Sequence, residues 1–467
     1  MFLIDIKDTL TLCQITMFKI INRAILLFLA ALLTFSKVTS AQSSTPLDLN
    51  EQNIVKEVEL TLPQSLKDIE QAVNINSGSM NFEGVKQVGL LAKQQLSAIG
   101  FKVQWLDGSA FNRAGHILAT HQSRNPTALK ILMIGHLDTV FAKNDSFQDY
   151  KRLSKKQAAG PGVADMKGGN TIIIAAMRAL TKLNLLDNVS IKVLLTGDEE
   201  SSGRPLSLSK KAIVDGAIWA DIALGFENGD NNINTGMAAR RGYTGWTLNV
   251  EGKPAHSSQI FNEEVGYGAI YETARILEAF RAQLEQEENL TFNPGMIIGG
   301  TSIDFDVDKS SGSAFGKSNV IAQKAKVKGD LRALSNKQLK SAKQTMQNIV
   351  KNNLNHTQAE LIFEAGYPPM ALTSGNLALL AQYSQVSQDL GYNAVIPANP
   401  RKAGAADISF AAEHVDMSLD GLGLMGTGAH TKNEVADLTT LNKNIEKTAI
   451  LIYRLSKQKS KLSAKGN

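Results

Sequence analysis

Residues 129–139 read LKILMIGHLDT, and this stretch sets the fold. Residues 129–134 are an apolar run of strand length, closed by Gly135. A strand apolar on both of its alternating faces belongs in a sheet covered by helices on two sides, which is the habit of parallel sheets. His136 and Asp138 follow at once, and residues two apart on an extended chain point the same way. Open α/β sheets gather their ligands beyond the carboxyl ends of the strands. One stretch therefore predicts both the layering and the place of the site.

Outward from it the same pattern repeats. Upstream, Val85, Val88, Leu91 and Leu96 recur at helical spacing and Gly100 closes the run. Residues 42–60 are polar and read as a tether. Downstream, residues 171–183 (TIIIAAMRALTKL) form a helix after Gly168-Gly169, and residues 190–195 and 222–226 form strands. This alternation predicts a mostly parallel α/β sheet. Beyond Arg241 the character changes. Residues 243–250 (YTGWTLNV) alternate as a half-exposed strand does, followed by a helix at 265–285. Strands at 295–300 and 320–331, a helix at 336–352 and a strand at 360–365 complete a ferredoxin-like order. After Pro368-Pro369 the α/β pattern returns and ends in a helix at 438–455. The expected domains are an α/β domain from 42–242 and 367–467, and an inserted α+β domain at 243–366.

The chain has 467 residues, too many for one core, with 43% hydrophobic and 20% charged residues. Lys19 and Arg23 precede a twelve-residue stretch, 24–35, apolar but for Thr34, and Val38-Thr39-Ser40-Ala41 ends it with small side chains. Residues 1–41 thus read as a signal peptide cut near Ser40-Ala41 or Ala41-Gln42, with export to the periplasm or beyond. Met17 is an alternative start. Cys13, the only cysteine, lies in this leader, so a metal site of the exported chain must use nitrogen and oxygen. The net charge of +5 falls to +3 without the leader, which predicts no nucleic-acid partner. No membrane association is expected after cleavage. The lysine-rich stretch 457–465 reads as a frayed end.

Five polar sites follow strand ends or precede helices. They are His136-Leu137-Asp138, Asp165 in Gly160-Pro161-Gly162-Val163-Ala164-Asp165-Met166-Lys167-Gly168-Gly169, Asp198-Glu199-Glu200, Glu227 after Gly225-Phe226, and His430 in Gly426-Thr427-Gly428-Ala429-His430. Singly, each has an ordinary reading: a packed histidine, a turn aspartate, a solvated glutamate pair. Together they bring two imidazoles and several carboxylates to one end of the sheet. That much buried negative charge repels itself, and divalent cations relieve it. Imidazole and carboxylate without sulfur suit zinc, then cobalt or manganese.

These motifs, in this order, resemble the zinc metallopeptidase family of glutamate carboxypeptidase, acetylornithine deacetylase, succinyl-diaminopimelate desuccinylase and the aminoacylases. The likeness covers about residues 75–457, with the nearest pattern in the glutamate carboxypeptidase branch. It implies a zinc-exopeptidase catalytic domain with an inserted ferredoxin-like lid and dimerisation domain. It implies two Zn2+ per subunit: Asp165 bridging, His136 and Glu227 completing one site, Glu200 and His430 the other. Asp138 would orient His136, Glu199 would be the catalytic base, and the Asp165-Met166 peptide would be cis. In the inserted domain, His256 of Gly252-Lys253-Pro254-Ala255-His256-Ser257 would meet the oxyanion in a partner subunit's site. Arg332 would take a substrate carboxylate, with Asn319 as a further substrate contact.

Two departures stand out. Ala322 replaces the family's proline after Asn319-Val320-Ile321, and Ala403-Gly404-Ala405-Ala406-Asp407 lacks the hydroxyl of the family's Gly-Gly-(Ser/Thr)-Asp. Arg240-Arg241 and Arg401-Lys402 add basic groups. The expected activity is release of a C-terminal, glutamate-like amino acid from a peptide or N-acyl amino acid, in a homodimer. The alternatives are an N-acyl amino acid deacylase or a non-catalytic binding protein of the same fold.

Overall fold

The computed structural model describes residues 46–306 and 310–465. The leader, Cys13 and Met17 lie outside the described residues. Six strands form the central sheet: β1 (Lys102–Asp107), β2 (Gly115–His121), β3 (Leu129–His136), β4 (Val189–Thr196), β5 (Ile222–Gly225) and, late in the chain, Met417–Leu419. Their order is β1-β2-β4-β3-β5 and then Met417–Leu419, and β2 alone runs against the others. β3 lies at the centre. Ile131 and Met133 enter the core on one face while Leu132 and Ile134 enter the core on the other, so the run is apolar throughout. Helices α1 (Leu49–Val73), α2 (Phe82–Ala98) and α3 (Gly168–Lys182) cover the first face, and α4 (Lys211–Trp219) packs on the second.

Residues 49–60 are not a tether. They open α1, whose Ile54, Val58, Ile69 and Val73 are buried. Asp48 and Glu51 cap it reciprocally, each side chain accepting from the other's backbone N–H. Seen over 42–60 alone, the solvent face of this helix outnumbers its buried stripe. The edge strand β1 was also silent in sequence, because none of its residues is fully buried.

The inserted segment builds β6 (Thr244–Gly252), α5 (Gly268–Leu284), β7 (Thr291–Gly300), β8 (Lys324–Arg332), α6 (Asn336–Val350) and β9 (Thr357–Phe363). The sheet order is β7-β8-β6-β9, antiparallel throughout, which is the ferredoxin-like arrangement. Its core is its own: Trp246, Leu248 and Val250 of β6 meet Ile276 and Phe280 of α5 and Met346 of α6. A hairpin, Ser302–Asp306 with Ser311–Phe315, adds a feature the sequence did not announce. The two connecting segments pair with one another, Arg240 with Met370 and Tyr243 with Tyr367. Gly242 permits this, since a Cβ there would lie 2.7 Å from Pro369 N and Tyr367 O.

After α7 (Ser374–Asp389) and the strand Met417–Leu419, which becomes β10, the chain ends in α8 (Thr439–Lys465). Helix runs through the lysine-rich stretch expected to fray, and Lys457 Nζ donates to Asp48 Oδ2 at 2.9 Å. Among the described residues no helix is long and apolar enough to cross a membrane.

Candidate active site

The strand ends deliver the polar groups. His136 is the last residue of β3, opposite Thr196 at the end of β4. Glu199 and Glu200 occupy the turn after β4, and Glu227 stands two residues past β5. Asp165 lies in an irregular segment before α3 and begins a cis peptide to Met166. His430 comes from the loop before α8 with a left-handed φ of 62°.

These residues form two groups that share one carboxylate. His136 Nε2 is 3.2 Å from Asp165 Oδ1 and 3.4 Å from Glu227 Oε1. His430 Nε2 is 3.2 Å from Asp165 Oδ2 and 3.2 Å from Glu200 Oε2. Within each group the ligand atoms lie within 4.8 Å of one another. Two imidazole nitrogens and three carboxylates, with no sulfur, are a donor set for divalent cations, one per group.

The charges press on one another. Burial, then the neighbouring Asp165, pushes Glu227 up to about 7. Burial and the carboxylates of Glu227, Asp407 and Glu200 hold Glu199 well above the usual carboxylate range. Hydrogen bonds to Asp165 and Glu200 raise His430 to about 11. Burial opposes the charge on His136, yet Glu227, Asp138 and Asp165 outweigh it and raise its pKa. Such a crowd of acids fits a centre that carries positive ions.

Asp138 is arranged differently from the expectation. His136 Nδ1 lies 2.9 Å from the Asp138 carbonyl oxygen and 3.5 Å from its carboxylate. The carboxylate instead accepts from Glu199 N at 3.0 Å and Glu200 N at 3.1 Å, and from Ser79 Oγ at 2.6 Å. It orients the imidazole through the backbone and holds the glutamate turn through the side chain.

Sequence reasoning missed the other buried acids that hold these turns. Glu434 accepts from Gly162 N, Ala164 N and Asp165 N at 2.9, 2.9 and 3.1 Å, clamping the loop of the shared ligand. Asp420 accepts from Glu227 N at 3.2 Å and pairs with Arg240 at 2.7 Å. Asn170 Nδ2 donates to the His136 carbonyl at 2.6 Å. Only Asn170 had a local signal, at the start of a helix beside a glycine pair.

The inserted-domain residues stand apart from this cluster. His256 is exposed, and its Nδ1 is engaged by Ser258 Oγ at 2.9 Å. Asn319 is next to it, its carbonyl accepting from Ser257 N at 2.9 Å. Arg332 pairs with Asp330 at 2.8 Å and lies over the Tyr243 ring at 5.2 Å. Asp407, the last residue of the Ala403–Asp407 departure, is turned inward onto Lys210 and Thr196.

The sequence profile of peptidase family M20/M25/M40 matches residues 132–454. The chain belongs to this family. It is 26% identical over 402 residues to carboxypeptidase G2 of Pseudomonas sp. (strain RS-16), covering 84% of this chain and 89% of that one. It is 24% identical over 394 residues to succinyl-diaminopimelate desuccinylase of Coxiella burnetii, covering 81% and 97%. The aminopeptidase PepT of Bacillus cereus has the same fold, with a TM-score of 0.67 at 19% identity over 84% of this chain and 98% of that one. The family membership and the ligand groups make the protein a metal-dependent peptidase or amide hydrolase.

Proposed function

We propose that the protein is an exported two-zinc exopeptidase that releases a glutamate-like C-terminal amino acid from a small peptide or N-acyl amino acid. The observation that carries this reading is the meeting of two ligand groups on the two oxygens of Asp165, with Glu199 beside them but in neither. His136, Asp165 and Glu227 would hold one cation, and Asp165, Glu200 and His430 the other. Bound divalent cations supply Lewis acidity, lowering the pKa of water and polarising an amide carbonyl.

The protein's own groups do the rest. Glu199 takes the proton of the attacking water and returns it to the leaving amine. Asp138 holds the backbone of Glu199 and Glu200, so base and ligand keep their spacing. Ser258 occupies Nδ1 of His256 and leaves Nε2 for the oxyanion, delivered from a partner subunit of a homodimer. Arg332 takes the substrate carboxylate, with Asn319 beside His256. In this reading residues 243–366 are the lid and dimerisation domain, 42–242 and 367–467 the catalytic domain, and 1–41 the signal peptide that sends the chain to the periplasm or beyond.

N-acyl amino acid deacylation is the second reading, supported by the likeness to the desuccinylase and by Ala405-Ala406 at the departed motif. A panel of acyl-glutamate, acyl-ornithine and dipeptides, given to zinc-loaded protein lacking the leader and read by amine release, separates the two. Preferred turnover of acyl-glutamate supports the first reading, and preferred acyl-ornithine the second. No amine release from any of them, with two zinc bound, would defeat both.

A further inference from the structure

The turn that carries Glu199 and Glu200 is held from behind by a buried polar cluster for which the reaction gives no direct use. Lys210 is 1% exposed. Its Nζ lies 2.9 Å from Asp407 Oδ1, 3.0 Å from Asp198 Oδ1 and 3.1 Å from the Asp198 carbonyl. Asp407, 3% exposed, also accepts from Thr196 Oγ1 at 2.5 Å. Asp198 accepts from Gly203 N at 2.8 Å and Ser209 Oγ at 2.5 Å. One ammonium faces two carboxylates, and each charged group is also hydrogen-bonded, as buried charges need.

Tyr367 joins this cluster to the base. Its hydroxyl lies 3.2 Å from the Glu199 carbonyl oxygen, 3.3 Å from Asp407 Oδ1 and 2.8 Å from Ser202 Oγ. Its ring packs edge-on against Phe410 at 4.8 Å, with Lys210 Nζ over it at 5.4 Å. A phenol has one proton, so it serves the two acceptors while Ser202 donates to it. Burial keeps that proton on Tyr367, since its pKa is well above the ordinary value. Tyr367 is also a linker residue: its carbonyl accepts from Tyr243 N at 2.9 Å where the two connections to the inserted domain pair.

We propose that Tyr367 is a positioning residue, tethering the Glu199 carbonyl to the Lys210–Asp407 pair and to the paired linkers. The side chain of the base then leaves a backbone whose orientation is set from the domain junction. The tether rests on reading Glu199 as the base, and a Glu199→Gln variant tests that reading by itself.

Tyr367→Phe removes one oxygen and keeps the ring against Phe410. In the full metal-loaded chain, kcat should fall about 10- to 100-fold, as when outer partners of a metal site are lost. KM and zinc content should stay unchanged. Hydrogen exchange of the amides at 197–203 should quicken about 2- to 10-fold, the weight of one hydrogen bond, while β3 stays protected. Unchanged kcat overturns the proposal. So does a fall in kcat without faster exchange in the turn, which makes Tyr367 a substrate contact. Faster exchange throughout β3 makes it a general packing residue and overturns the tether equally.

Discussion

The two candidate ligand groups share Asp165 and differ chiefly in how far their histidines are buried. His136 is 1% exposed, its ring nitrogen held by the Asp138 carbonyl and its own carbonyl by Asn170. Its partner Glu227 is fastened through Asp420 to Arg240. His430 is 58% exposed, on a left-handed residue two past Gly428, and its loop is tied by Lys432 to Asp145 at 3.5 Å and Ser146 at 2.9 Å and by Glu434 to the Asp165 loop. A ligand with a packed outer shell keeps its geometry when the ion leaves, whereas an exposed one relaxes. This contrast predicts that an ion held by His136 and Glu227 leaves more slowly than one held by Glu200 and His430.

The variants that probe this contrast range from total loss to a modest one. Asp165→Asn should remove both ions and all turnover, because one residue serves both groups. Metal analysis finding two bound ions would break the idea of a shared ligand. Glu199→Gln should lower turnover ~10²–10⁴-fold and keep both ions, since it stands in neither group. Zinc loss in that variant would exchange the roles of Glu199 and Glu200.

His430→Ala should retain one ion per chain, and a chelator should strip the unsubstituted protein in two phases, the ion held by Glu200 and His430 first. A single phase that removes both ions together would erase the distinction drawn from exposure. Glu434→Gln should weaken metal binding about 10-fold, the low end for an outer partner, because it clamps the Asp165 loop without touching an ion. Titration of zinc into metal-free protein reads this, and an unchanged affinity would show that the loop holds Asp165 without Glu434.

Most of the candidate site residues were legible because each interrupts a simple pattern. His136, Glu199, Glu200 and Glu227 follow apolar strands and a glycine, and Asp165 sits in a glycine-rich turn before a helix. Glu434 has no such signal. It bonds Ala164 across 270 residues of chain, brought there by the antiparallel pairing of Val435–Asp437 with Gln157–Ala159. The inward turn of Asp407 was hidden for the same reason: its partners Lys210 and Thr196 lie about two hundred residues upstream, in segments that read locally as helix and strand ends. The expectation that the Asp138 carboxylate holds His136 rested on two-residue spacing, which fixes the side of the strand but not which oxygen is nearer.

The sequence by itself determined the parallel sheet, the inserted α+β segment and the turns bearing the ligands, since apolar periodicity and glycine placement are local properties. It also placed no cysteine in residues 42–467, so a metal held there meets nitrogen and oxygen rather than thiolate. Tertiary structure alone decided that Asp165 offers one oxygen to each group and that His430 is exposed while His136 is buried. It alone placed Tyr367 behind the base. These are relations between segments far apart in the chain, set by how the layers pack, and no spacing along the sequence encodes them.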